Sequence, residues 1–131
     1  RTRRGRDGCR VPMPWVKDAP NLGFGPGSTP WLPQPAAYAD LAVDQQDGVA
    51  GSTLELYRTA LKLRHELQAD EDLEWVENAN PEILHFRRPG GWQSVTNFGD
   101  TAVDLPEGTV LVISAPLEDG KLPGNTTAWL R

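Results

Sequence analysis

The sequence predicts an α+β chain: a long irregular segment, then one long helix, then a small antiparallel β-sandwich. Three observations carry this. Seven of the twelve prolines lie between Pro12 and Pro35. An apolar stripe of helical period runs from Leu56 to Leu67. Short alternating or apolar runs, broken by turn residues, occupy positions 73–131.

The irregular segment runs from Arg1 to about Ala50. The string NLGFGPGSTPWLPQP forms neither helix nor interior strand, because proline lacks an amide donor and fixes its own backbone. About fifty residues without regular structure are improbable in a compact self-standing domain. Yet Val11, Met13, Trp15, Leu22, Phe24, Trp31, Leu32 and Leu41 favour burial. An irregular segment rich in aromatics is expected to drape over a scaffold, and this sequence contains no such scaffold.

The helix follows. Ser52 is placed to cap it, and Glu55, three residues on, completes a capping box. Leu56, Ala60, Leu63 and Leu67 recur at i, i+4, i+7 and i+11, while Leu54, Tyr57 and Leu61 widen the apolar face. Arg58, Lys62 and Glu66 line the other side. So broad a face implies a large packing partner. The helix is expected to end near Leu67, before Asp70-Glu71-Asp72.

Six short strands are expected beyond it: Leu73–Val76, Ile83–Arg87, Trp92–Asn97, Thr101–Leu105, Thr109–Ile113 and Thr126–Leu130. Pro89-Gly90-Gly91 and Asn97-Phe98-Gly99-Asp100 supply turns. The expected division is therefore residues 1–70 and 71–131. The order, irregular segment then helix then β module, reads as the back end of a larger protein.

Composition narrows the function classes. The net charge of −5 is uneven: residues 1–17 carry six basic side chains against Asp7, a net +5, leaving −10 for the rest. The acidic body would repel phosphate, so no nucleic acid is expected as a partner. No apolar run approaches the roughly 20 residues that span a bilayer, so no membrane is expected. The basic start lacks an apolar stretch after it, so no signal peptide is expected. Cys9, the single cysteine, excludes an internal disulfide and fits a reducing compartment, here the cytoplasm. Asn125-Thr126-Thr127 matches the glycosylation sequon by chance on this reading.

The ordinary catalytic signatures are missing. His65 and His85 have no cysteine or carboxylate at ligand spacing, so no metal or cofactor is expected, and both read as surface or half-buried histidines. No local signature makes Cys9 a nucleophile. Gly23-Phe24-Gly25-Pro26-Gly27 lacks the lysine and helix of a phosphate loop. Glu71, Asp72, Glu74 and Glu77 read as a solvated acidic face. What remains is Arg6, Asp7 and Arg10. A guanidinium is a rigid fork of donors that reads oxygens in a plane. Two of them four residues apart in a loop can converge on one polar ligand, with Asp7 holding one by an ion pair. A solvated basic tail is the competing reading.

RDGCRVPMPW, starting at Arg6, resembles the RDxxRxPMxW segment of the α-glucosidase branch of the α-amylase family, glycoside hydrolase family 13. NLGFGPGSTPWLPQP resembles that family's AGFTTGTPWLPV-type loop. STLELYRTALKLRHEL resembles the helix that closes its barrel. VTNFGDTAVDLPEG and TTAWLR resemble pieces of its C-terminal β domain. Gly8-Cys9 and Pro14 resemble the bacterial exo-acting enzymes that carry GCRVPxPW, of the oligo-1,6-glucosidase kind. The likeness covers nearly the whole chain, most specifically at the first motif.

The resemblance implies the end of a (β/α)8 barrel: residues 1–50 as the loop after its eighth strand, the helix from Ser52 as its eighth helix. It implies hydrolysis of terminal non-reducing α-linked glucose from maltose- or isomaltose-type oligosaccharides, with retention. It implies that Arg10 binds the terminal glucose, that Arg6 is a second substrate-side arginine, and that Asp7 supports it. The nucleophile and acid/base would precede this chain, so no catalytic residue is assigned here and the chain alone is expected to be inactive. A missing N-terminal barrel is the expected partner. Trp15, Trp31 and Phe24 are read as sugar platforms or, preferably, as anchors buried against the barrel. The competing functions are a stand-alone β-sandwich module that binds carbohydrate or protein, and a transglycosylating relative such as a trehalose synthase or sucrose isomerase.

Overall fold

The computed structural model describes residues 5–68 and 71–131. Arg1, Arg3 and Arg4 of the basic start, and Asp70 of the acidic run, lie outside the described residues. The chain divides into two compact units, Arg1–Glu55 and Leu56–Arg131.

The first unit is built from turns. Short 3-10 turns cover Asp7–Cys9, Pro20–Gly23 and Ala36–Leu41, and α1 spans Val43–Gln46. Single hydrogen bonds join distant points of this segment. The Leu22 carbonyl accepts from the amides of Trp15 at 2.7 Å and Val16 at 3.0 Å. The amides of Val43 and Asp44 donate to the carbonyls of Pro14 at 3.2 Å and Trp15 at 3.1 Å. The Lys17 amide donates to both carboxylate oxygens of Asp44, and its ammonium reaches Asp40 at 2.6 Å. Gly23 is required where it stands. Its φ is +75°, and an added Cβ would lie 3.1 Å from the Val16 amide nitrogen.

α2 spans Thr53–Leu67 and crosses the boundary between the units. Ser52 caps it as expected, its hydroxyl accepting the Glu55 amide at 3.2 Å. The return arm of the capping box is differently used. The Glu55 carboxylate accepts the Gly48 amide at 3.0 Å, while the Ser52 amide donates to the Val49 carbonyl. The Gln46 side chain adds a second cap, accepting the Leu54 amide at 3.2 Å.

In the second unit five strands form one antiparallel sheet in the order β1-β2-β3-β5-β4. They are β1 Glu74–Trp75, β2 Ile83–Arg88, β3 Trp92–Asn97, β4 Val110–Ile113 and β5 Thr126–Leu130. Alternation sorts their side chains. The partners Val95 and Ala128, Gln93 and Leu130, and Asn97 and Thr126 share one face. There Val95, Ala128 and Leu130 pack with Leu122 as the buried core, bordered by Ile83, Val103, Leu105, Val110 and Ile113. The opposite face is aromatic: Phe86, Trp92 and Trp129 form a chain of ring contacts 6.4 and 5.2 Å apart. α2 lies on that side, where the Trp92 indole donates to the Leu67 carbonyl at 3.1 Å.

Two expectations for the β module change. Glu74–Trp75 is all that remains of its first strand. Thr101–Leu105 is not a strand; it makes one isolated bridge, Val103 with Leu122. A side chain explains why that segment stays in place. The buried Asn97 amide donates to the carbonyls of Thr101, Leu122 and Pro123 at 2.9, 3.2 and 3.1 Å. Its oxygen accepts the Gly99 amide at 3.0 Å.

Candidate functional site: the Asp7, Arg10 and Trp31 cluster

The candidate site lies within the first unit. Asp7 opens a single 3-10 turn in which the amides of Cys9 and Arg10 donate to the carbonyls of Arg6 and Asp7 at 2.9 and 3.0 Å. That turn brings positions 7 and 10 to the same side, and the Arg10 guanidinium donates to the Asp7 carboxylate. Asp7 therefore pairs with Arg10, one of the two arginines it could hold, whereas the family resemblance implied support for Arg6. The reason is local: i and i+3 align in a 3-10 turn, and adjacent residues do not. Arg6 is exposed, and no ion pair joins it to Asp7 among the described residues.

Trp31 completes the cluster from 21 residues away. The Arg10 guanidinium carbon lies 5.1 Å from the centroid of the indole ring, within cation–π range. The indole Nε1 donates to the Arg10 carbonyl at 3.3 Å. A parallel tie stands beside it, the Gln34 amide donating to the Pro12 carbonyl at 3.1 Å. Trp31 is 67% exposed. Trp15 and Phe24 are exposed as well, so burial of these three as anchors does not occur within this chain. The Trp31 contact had no local signal in the sequence, because it depends on the path of the loop between the two residues.

The other candidates separate cleanly. His65 is exposed on α2. His85 is buried, on the sheet face that packs Val95, where its Nε2 is 2.8 Å from the Gln93 side-chain oxygen. It is thus more enclosed than the sequence suggested, and it is a satisfied core residue. Among the described residues no group of histidine, cysteine and carboxylate side chains has the arrangement to hold a metal. Cys9 is a free, exposed thiol. Glu71, Asp72, Glu74 and Glu77 are exposed, and Glu74 lies 3.8 Å from Arg87. The glycine-rich loop is tied by the Asn21 amide to the Gly27 carbonyl, a structural bond. Among the described residues no helix is long and apolar enough to cross a membrane.

A guanidinium held by a carboxylate on one side and a ring on another is pre-organised to present its remaining donors to a polar, oxygen-rich ligand. The model of the alpha-amylase catalytic domain matches residues 1–72. A probable alpha-glucosidase of Rhizobium meliloti (strain 1021) is 38% identical over 94 residues, 70% of this chain and 16% of that protein. An oligo-1,6-glucosidase of Parageobacillus thermoglucosidasius is 29% identical over 102 residues, covering 74% of this chain and 18% of that one. Among solved structures, an alpha-glucosyl transfer enzyme superposes with a TM-score of 0.69 at 32% identity, over 97% of this chain and 26% of its own. A trehalulose synthase shares the fold, with a TM-score of 0.74 at 23% identity over 96% of this chain. The chain thus spans under a fifth of the length of these curated relatives. The match covers the whole irregular segment together with α2, the same stretch that holds Asp7, Arg10 and Trp31, and on that ground the chain belongs to the alpha-amylase family.

Proposed function

We propose that this chain is the C-terminal part of an exo-acting α-glucosidase that releases terminal non-reducing α-linked glucose from maltose- or isomaltose-type oligosaccharides. Residues 1–70 are the last loop and helix of a (β/α)8 catalytic barrel, and residues 71–131 are its C-terminal β domain, of sandwich type. The single observation that carries the reading is Arg10, fixed between Asp7 and Trp31 inside the segment that matches the family. Arg10 binds the hydroxyls of the terminal glucose, Arg6 contacts the substrate beside it, and Asp7 holds Arg10.

The exposed stripe on α2 supports a missing neighbour. Tyr57 and Leu61 are 63% and 60% exposed, one turn apart on the flank of the face that meets the sheet. Exposed apolar side chains in such a row mark a surface that another element covers. The barrel that would cover it also supplies, from other strands, the nucleophile and the acid/base, about 5 to 5.5 Å apart in a retaining enzyme. The chain alone is therefore inactive, and the whole protein works in the cytoplasm without a cofactor.

The test is Arg10→Lys in the full-length protein, assayed on a nitrophenyl α-glucoside. Lysine keeps the charge and loses the fork, so kcat/KM is expected to fall by more than about tenfold. Unchanged activity rejects the role of Arg10. A second reading is favoured by the alpha-glucosyl transfer enzyme that is 32% identical over nearly the whole chain. In that reading the same pocket passes glucose to an acceptor other than water, and product analysis on maltose and sucrose separates the two.

A further inference from the structure

We infer that Trp31 is a positioning residue, which sets the plane in which the Arg10 guanidinium meets its ligand; this rests on the role given to Arg10 above. An exposed ion pair does little to orient a long side chain, because many rotamers satisfy it. Asp7 restrains Arg10 at one point of its fork. The ring restrains it differently: a planar cation over a planar ring loses rotational freedom about its own axis. Trp31 also acts on the backbone, since its Nε1–H bonds the Arg10 carbonyl at 3.3 Å. One side chain thus touches both ends of Arg10, the guanidinium and the main chain.

Trp31 is itself constrained. Pro30 precedes it with a fixed backbone, and Pro33, two residues on, restricts Leu32. The bond from Gln34 to the Pro12 carbonyl at 3.1 Å holds the Trp31–Gln34 stretch alongside Arg10–Pro12. An arginine ordered before its ligand arrives spares the cost of ordering it afterwards. The indole is 67% exposed and buries little apolar surface within the chain, so its contact with Arg10 is the interaction that its geometry favours.

The test is a double-mutant cycle in the full-length protein on a nitrophenyl α-glucoside. Trp31→Leu removes ring and donor and is expected to lower kcat/KM about tenfold; Trp31→Phe keeps a ring face, and about threefold is expected. Arg10→Ala is expected to cost more than either. Adding Trp31→Leu to Arg10→Ala is expected to change kcat/KM by less than about twofold, because a residue that acts through Arg10 has nothing left to act on. Losses that multiply overturn the inference, as does Trp31→Leu at wild-type activity. Arg10→Ala at full activity removes the glucosidase reading itself and this inference with it, and that failure is distinguished by the single variant. Should Trp31→Leu not fold, Trp31→Phe is carried through the same cycle and judged by the same criterion.

Discussion

In Leu56–Arg131 the backbone pairs in ladders, and side chains fill what the ladders enclose. Val95, Leu122, Ala128 and Leu130 are shut away behind paired strands. In Arg1–Glu55 the order is reversed. Pro12 and Ala42 are the buried residues among those described there, and turns are joined by single bonds such as those accepted by Leu22 and Asp44. The contrast shows that one polypeptide can hold its shape by two means. One is an enclosed apolar core, which is strong and cooperative. The other is a set of isolated polar ties between distant points, which leaves Met13, Trp15, Phe24, Trp31 and Leu41 exposed within this chain.

The comparison can be broken most directly at the core. Leu122 is fully buried, and Leu122→Ala is expected to destabilise the second unit by about 2–5 kcal/mol. Urea unfolding followed by far-UV circular dichroism measures this, and a cost under about 1 kcal/mol would mean the core is not what holds the sheet. An intermediate effect is expected at the helix start. Ser52→Ala removes the acceptor of the Glu55 amide and should cost about 1 kcal/mol in the same assay.

The smallest effect belongs to the first unit. Asp40 holds the Lys17 pKa above the ordinary lysine value, first by its hydrogen bond and then by its charge. A raised folded-state pKa contributes stability that is fully present below the unfolded value and is lost as pH rises through the raised one. Asp40→Asn should therefore change the urea midpoint only slightly at neutral pH, because the pair is exposed to water. The wild-type and variant profiles should converge only in the alkaline range above the ordinary lysine pKa. A large loss at neutral pH would show that these surface ties matter more than the comparison allows.

What the sequence revealed follows the same divide. α2 was legible to the residue at Leu67, because its cap and its i, i+4, i+7 stripe are local signals. β2, β3, β4 and β5 were legible from alternation and turn residues. Thr101–Leu105 has strand composition but pairs at one bridge alone, Val103 with Leu122, and the Asn97 side-chain amide holds the Thr101 carbonyl, which no alternation pattern reveals. In the site, Arg10 and Asp7 were legible as a pair of types, while their pairing required the 3-10 turn. Trp31 was visible only as an aromatic, since its bond to Arg10 spans a loop with no periodic pattern.

The three carbonyls gathered by Asn97 carry a consequence for the ageing of the protein. Hydrolysis of that amide to a carboxylate would replace a donor by an acceptor aimed at the oxygens of Thr101, Leu122 and Pro123. Repulsion would then sit where the clasp had been, at a buried position. A lesion of one atom's identity, barely a dalton in mass, would loosen a stretch of chain whose other backbone tie is the bridge of Val103 with Leu122.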